Sequence, residues 1–307
     1  MNDFKMIVKE ICDELNIKMT ITSKDWMTIL EKDNQKRFLL GTKFDLNSYA
    51  LGSIFDDKYA TYEMLKHFSI PVTEHQIIFS PTNESDFAMG CNTYEYAYDY
   101  LEKHDNNIVI KVNDGHQGKG VYHVTTKEGV KNVLDELFLN NYSLSLCPYY
   151  DIKSEYRVIM LDKEVELLFK KIKPIVIGDG IKTVKELLCE MNSHFFDYID
   201  NDDLNYVLNC GEKYEYNWQF NLSKGATMTT DIDSCVKDKV VKLAKRVANT
   251  IDVCFASVDI VELETGEFLV LEINCGVATK HFREIHPNGY EITKNIYKKA
   301  IMKMFDL

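Results

Sequence analysis

Apolar residues recur at helical spacing from the start of the chain: Phe4, Ile7, Val8, Ile11 and Leu15 share one stripe of residues 2–15, which predicts an amphipathic helix. Residues 26–40 are mixed and poorly periodic. After Asp56-Asp57 a helix is predicted with Tyr59, Tyr62, Met64, Leu65 and Phe68, stopped by Pro71. Residues 72–79 read as a strand and 93–102 as an aromatic-rich helix. Residues 107–112 (NIVIKV) and 121–125 read as strands around a glycine-rich loop, followed by a helix over 127–139. The apolar run 144–146 is broken by Cys147-Pro148-Tyr149-Tyr150. Residues 156–161 and 165–171 predict a hairpin turning at Asp162-Lys163. Thr183-x-x-Glu186, after the Gly178-Asp179-Gly180 turn, has the form of a capping box and predicts a helix to Asn192. Residues 193–219 are acidic, aromatic and weakly periodic, which suggests an insertion or lid-like segment. A polar loop follows at 221–230. Ser234 is placed to cap a helix with Val236, Val240, Leu243, Ala244, Val247 and Ile251 on one stripe, and a last helix covers 291–304. Strands and helices alternate without βαβ regularity, which indicates an α+β fold.

The stretch 255–274, FASVDIVELETGEFLVLEIN, carries the sharpest conflict between pattern and charge. Its two apolar runs, 255–262 and 268–274, flank Thr265-Gly266 and predict a hairpin. With Glu264 opposite Glu267, Asp259 falls opposite Glu272, and Cβ atoms so placed lie roughly 4.5–5.5 Å apart. Asn274 shares the face of Glu272, with Phe255, Val261, Phe268 and Val270. Both faces of the hairpin are apolar enough to be buried, and a buried unpaired carboxylate is costly. A hard divalent cation bound through oxygen would remove the conflict. Magnesium carrying a phosphate suits two carboxylates and an amide. The plain alternative is an exposed hairpin with solvated acids.

Composition bounds the partners. The chain has 307 residues, enough for one large or two to three small domains, and 45% of them are hydrophobic, which supports real cores. No apolar run approaches the roughly 20 residues that span a bilayer. The first residues lack the basic and apolar regions of a secretory signal. Eight Cys, none in a C-x-x-C pair, read as reduced, mostly buried thiols of a cytoplasmic protein. The net charge of −12 opposes nonspecific nucleic-acid or anionic-membrane binding, so neither partner is expected. A small, locally basic nucleotide pocket remains compatible with it.

Gly115-x-x-Gly118-x-Gly120 is the second candidate. Glycines let backbone N–H groups approach oxyanions. A Walker loop would need Ser or Thr after the lysine and a helix beyond; here Lys119 precedes Gly120 and a strand follows. What remains is a glycine-rich hairpin over phosphates, or simply a turn. Lys111 sits in an apolar strand, where either a phosphate or an undetected carboxylate would pair with it. Arg157, between Tyr156 and Val158, fits a salt bridge or a guanidinium holding a phosphoryl or carboxylate group. Lys170 and Lys171 end the next strand on opposite faces. Asp57 is a helix N-terminal acid, favoured there by the helix dipole. The histidines have no zinc-ligand spacing, and no G-x-S-x-G elbow occurs.

The order of these features, a lysine strand, a glycine hairpin, EYRV at 155–158, a GDG turn with TVKELL, NLSKGAT at 221–227 and D…E-x-N, resembles the ATP-grasp superfamily. Within it the chain looks most like carboxylate–amine ligases related to cyanophycin synthetase and the ribosomal-protein glutamate ligases. The resemblance covers roughly residues 56–305. It implies two α+β subdomains gripping ATP: residues 56–150 with the phosphate loop and 151–307 with the metal hairpin, after a short N-terminal subdomain, 1–55. Lys111, Gly115, Gln117, Gly118 and Gly120 would meet the phosphates. Cys147 and Tyr149 would lie at the adenine hinge, with Glu155 at the ribose. Asp259, Glu272 and Asn274 would hold magnesium (manganese as a substitute). Arg157, Lys171, Asn221 and Lys224 would steady the transferred phosphoryl group and acyl phosphate. Amino-acid or peptide substrates are implied, joined as an amide. Peptide modification in natural-product biosynthesis, phosphoryl transfer and nucleotide binding without catalysis are the alternatives. Cys147 stands where many relatives have glutamate, Val112 replaces a common proline, and CGVATKHF after Asn274 lacks the usual proline-glycine. The region before residue 56 is short for the usual preceding subdomain. That leaves the substrate side abbreviated or completed by a partner chain, as in a homo-oligomer.

Overall fold

A computed structural model describes residues 2–22, 24–115, 118–191 and 204–307. The chain divides into two compact units, one of Met1–Leu168 with Asp233–Leu307, the other Phe169–Ile232.

The first unit opens with α1 (Asp3–Leu15), which buries Phe4, Ile7, Val8 and Ile11 as its stripe predicts. Then β1 (Lys18–Thr22), β2 (Met27–Lys32), β3 (Gln35–Leu40) and β4 (Lys43–Phe44) form an antiparallel sheet in that order. No strand was predicted here. Its β2–β3 turn, Asp33-Asn34, takes φ of 46° and 66°, a left-handed pair that Asp and Asn tolerate. Phe38 and Leu40 are exposed, which blurs the inside–outside alternation. Next come α2 (Tyr49–Asp56) and α3 (Lys58–His67); Asp57 caps α3, accepting from Ala60 N at 2.8 Å.

A second sheet follows from β5 (Gln76–Phe79), β6 (Ile108–Val112), β7 (Val121–Val124) and β8 (Ser143–Pro148), in the order β5-β8-β6-β7. The helices α4 (Tyr94–Lys103) and α5 (Lys127–Leu137) pack on it through Leu101, Ile108, Ile110, Leu134 and Leu146. Then β9 (Ile152–Leu161) and β10 (Glu164–Ile172) turn at Asp162-Lys163, both at positive φ.

The end of β10 enters the second unit. There β11 (Ile175–Ile177) pairs with β12 (Lys213–Glu215), and Lys170–Ile172 pair with β13 (Thr227–Thr229). The helix α6 (Val184–Met191) opens on the capping box: Thr183 N donates to Glu186 Oε2 at 2.8 Å and Glu186 N to Thr183 Oγ1 at 3.2 Å. The segment expected to be an insertion is described from 204 on. Leu204, Leu208 and Tyr216 join Val176, Val184 and Leu188 in this unit's core.

Returning to the first unit, α7 (Ser234–Thr250) is capped by Asp233 rather than Ser234. Then come β14 (Phe255–Leu263), β15 (Phe268–Asn274), α8 (Lys280–Ile285) and α9 (Gly289–Met304). β14 lies between β9 and β15 and is buried along its whole length, with α7 packed on this sheet. All eight Cys are free thiols; Cys12, Cys147 and Cys275 are buried, but Cys189, Cys210 and Cys235 are exposed, so the thiols are not mostly buried as expected. Among the described residues no helix is long and apolar enough to cross a membrane.

Candidate nucleotide and metal site

Asp259 stands opposite Glu272 in the β14–β15 pair, as the pattern predicts, with Asn274 opposite Ser257. The register arrives there by another route. Leu263, not Glu264, faces Glu267: its N–H donates to Glu267 O at 2.9 Å, and Gly266 N to Leu263 O at 2.8 Å. Ile260 therefore meets Val270, one residue off, and Leu271 is taken up in a bulge that restores the pairing at Asp259. The bulge moves Val270 to the face of Ile260, where it is fully buried, and away from the face of Glu272.

Asp259 is fully buried, while the side chain of Glu272 is 37% exposed. On its other side Asp259 meets Arg157 of β9. Arg157 donates to it twice, Nε to Oδ1 at 2.8 Å and Nη2 to Oδ2 at 2.5 Å, and Nη2 lies 4.0 Å from Glu272 Oε1. Burial works against the charge of Arg157, but Asp259, Glu272 and Glu155 together raise its pKa above the ordinary value. The conflict that pointed to a cation is thus met at Asp259 by an arginine. Asn274 Nδ2 donates to Glu272 Oε1 at 3.1 Å.

Lys111 is paired in β6 with Ser145 of β8 and Val121 of β7. The loop after it turns tightly. A Cβ on Gly115 would lie 2.8 Å from Val112 Cβ and 3.2 Å from its carbonyl oxygen. Gly120 has φ of 62°, and a Cβ there would meet Val112 Cγ2 at 2.8 Å. Gly118 is also at positive φ, and Gln117 lies outside the described residues.

Lys58 is a residue the sequence reading missed. Its Nζ donates to Gly115 O at 2.7 Å and Asn113 O at 3.1 Å. Burial, then repulsion from Lys111, brings its pKa down to about 8, against the pull of Glu272, Asp114 and Asp57. Among the described residues no carboxylate pairs with Lys58 or Lys111. One signal was available: a lysine opening a helix sits at the positive end of its dipole, where a cation is disfavoured. His75 is buried beside both, its Nδ1 2.7 Å from Ser145 Oγ; burial, Lys111 and Lys58 hold its pKa well below the ordinary value. Lys58, His75, Gly115, Glu272 and Asn274 line one cavity that opens to solvent.

The remaining candidates spread out. Cys147 is buried opposite Val109, its thiol pushed up to about 11 by burial against the pull of Lys111. Tyr149 stacks on His123 with centroids 4.2 Å apart. Glu155 is buried on the same face of β9 as Arg157. Three residues lie in the second unit. Lys171 is buried opposite Met228. Asn221 accepts from Ser223 N at 2.9 Å, and Lys224, its pKa lowered by burial, donates to Gln219 Oε1 at 2.9 Å.

The donor set Asp259, Glu272 and Asn274 is all oxygen once the amide turns its carbonyl inward, which fits a hard cation. Among the described residues no group of three His, Cys, Asp or Glu is arranged to hold a metal by itself.

No protein-family model matches the sequence. A stretch of 158 residues is 26% identical to the glutathione biosynthesis bifunctional protein GshAB of Lactiplantibacillus plantarum, taking in 50% of this chain and 19% of that protein. In three dimensions the chain is similar to a bifunctional glutathione synthetase from Pasteurella multocida, with a TM-score of 0.53 and 15% identity over 95% of this chain and 43% of that one. D-alanyl-alanine synthetase A from Vibrio cholerae gives 0.55 and 12%, over 93% and 89%. A D-alanine–D-alanine ligase from Bacillus anthracis gives 0.51 and 14%, over 82% and 69%. The chain spans less than half of the glutathione synthetase, and at these identities the structural likeness shows a common fold.

Proposed function

We infer the activity from one premise, that the chain has the ATP-grasp fold of these ligases: it is an ATP- and magnesium-dependent enzyme that joins a carboxylate to an amine. The carboxylate oxygen attacks the γ-phosphorus and ADP leaves. The amine nitrogen then attacks the acyl carbon of the acyl phosphate, the carbon–oxygen bond breaks, phosphate departs, and the amine loses a proton. The observation that carries the reading is the meeting, along one cavity, of Lys58 and the glycine loop with Glu272 and Asn274.

Lys58 and Lys111 hold the phosphates, beneath backbone N–H groups of Gly115, Gly118 and Gly120. Cys147 and Tyr149 flank the adenine and Glu155 the ribose. Arg157 steadies the transferred group. Asp259, Glu272 and Asn274 would hold magnesium, which supplies neutralisation of the charge on the phosphates. The rest of the catalysis is positioning of substrates and fixed charge. Residues 56–150 and 151–307 are the two functional halves in this reading, and amino acids or short peptides the substrates.

The test is ADP and phosphate release with magnesium and ATP against pools of amino acids and short peptides, with mass spectrometry for a product lacking one water. A phosphorylated product without free phosphate would make the protein a phosphotransferase. Tight ATP binding without turnover on any pool would make it a binding protein.

A further inference from the structure

We propose that Asp56 recognises the ammonium group of the substrate, and that Lys43 holds its carboxylate in place until the substrate arrives. The proposal rests on the ligase reading and narrows it to carboxylic acids that carry a free amino group.

Asp56 ends α2 and Lys58 begins α3, and both line the cavity that Gly115, Glu272 and Asn274 also line. Their signs divide that cavity. Lys58 suits the polyphosphate; Asp56, two residues away, repels it and marks a place for positive charge. Its present partner is Lys43, in an ion pair whose side chains are 40% and 35% exposed. A pair this open adds little to stability, too little to account for an acid on a phosphate cavity. It is also open enough for an incoming ammonium to replace Lys43 at one charge for one.

The acid is held on a fixed frame. Lys43 forms a β-bridge with Gly276, two residues beyond Asn274, and Val277 N donates to Thr42 O at 3.2 Å. Asn47 clamps the same segment to the start of β14, accepting from Cys254 N at 2.8 Å and donating to Phe255 O at 2.6 Å. Lys43 is thus fixed beside the strand end that carries Glu272 and Asn274, and α2, which Asp56 ends, packs on β15. An amino acid with its ammonium at Asp56 lies in the same cavity as these residues, with Phe55, Val72 and Leu271 offering apolar wall to its side chain.

The experiment is calorimetric titration of the protein, loaded with magnesium and a non-hydrolysable ATP analogue, with the common amino acids and their N-acetyl derivatives. At least one free amino acid is expected to bind, and its N-acetyl form about tenfold or more weakly. Asp56→Asn should lose that preference while holding the ATP analogue at least as tightly as wild type does. Asp56→Glu should recover part of it, and Lys43→Met should keep it, because the acid remains. The proposal is overturned if no free amino acid binds, if acetylation changes nothing, or if a folded Asp56→Asn protein discriminates as wild type does. Turnover separates the two readings. An amino acid that binds with this selectivity but releases no ADP from ATP with any amine of the amino-acid and peptide pools leaves the recognition and removes the ligase. ADP release driven equally by amine-free carboxylates removes the recognition and leaves the ligase.

Discussion

Asp259 and Glu272 face each other, yet their removal should have different consequences. Asp259→Ala strands Arg157, which is largely buried, and breaking a buried pair costs about 3–5 kcal/mol. Urea denaturation should show that loss. Glu272 is more than a third exposed, and its truncation should cost within about 1 kcal/mol while abolishing ATP consumption. Substrate-dependent ADP release that survived in Glu272→Ala would remove Glu272 from the metal site. Lys58 gives a pH signature. Its pKa is about 8, so above that pH it must take up a proton to meet a phosphate. Calorimetry near pH 8.5 in buffers of different ionisation enthalpy should show proton uptake on ATP binding, lost in Lys58→Met. The stability effect runs the other way. Between about 8 and the ordinary 10.5 the unfolded chain binds more protons at this position than the folded one. Lys58 alone therefore makes the folded protein more stable as pH rises through that window.

At the scale of elements, the glycine loop and the β14–β15 hairpin show what alternation can and cannot carry. Gly120→Ala forces a side chain into left-handed φ and against Val112. It should cost about 1–3 kcal/mol and weaken ATP binding, read together by thermal melts and calorimetry. Unchanged affinity would separate the loop from the phosphates. The two strands around this loop, and the β9–β10 turn, were legible because apolar runs and turn residues agree. In the β14–β15 hairpin the apolar run named the strands, but the turn closed one residue earlier than expected and the bulge at Leu271 compensated. The Asp259–Glu272 pairing was therefore right while the faces of Phe268 and Val270 were misassigned. A bulge is decided by turn closure and packing on neighbouring strands, which alternation does not encode. The β1–β4 sheet was missed because its outer face keeps Phe38 and Leu40 exposed. Lys58 was missed because its meaning depends on Lys111, a neighbour in space and not in sequence.

At the scale of the molecule, the start of the chain is built into the unit that holds the hairpin. Phe44 lies edge-to-face on Phe255 at 4.9 Å and Phe4 on Tyr297 at 5.4 Å, joining α1, β4, β14 and α9. Asn47 adds hydrogen bonds to both sides of the peptide at the head of β14. Asn47→Ala leaves those backbone groups without their partner, a loss of about 1–3 kcal/mol. It should appear as a lower unfolding midpoint together with weaker amino-acid binding, because the same segment carries Asp56. A variant that lost stability alone would separate the frame from the cavity.

The arginine clasped on Asp259 has one more consequence, and it concerns trespassers. A bare divalent ion approaching this acid meets a tethered competitor already bonded to both oxygens. A nucleotide-borne ion comes with phosphate oxygens to which the guanidinium can move. Without nucleotide the protein should therefore resist adventitious zinc and manganese, and ions should load only in company. Metal titrations without nucleotide should be nearly silent in wild type, and an Arg157→Met protein that still folds should take up the ion unaccompanied.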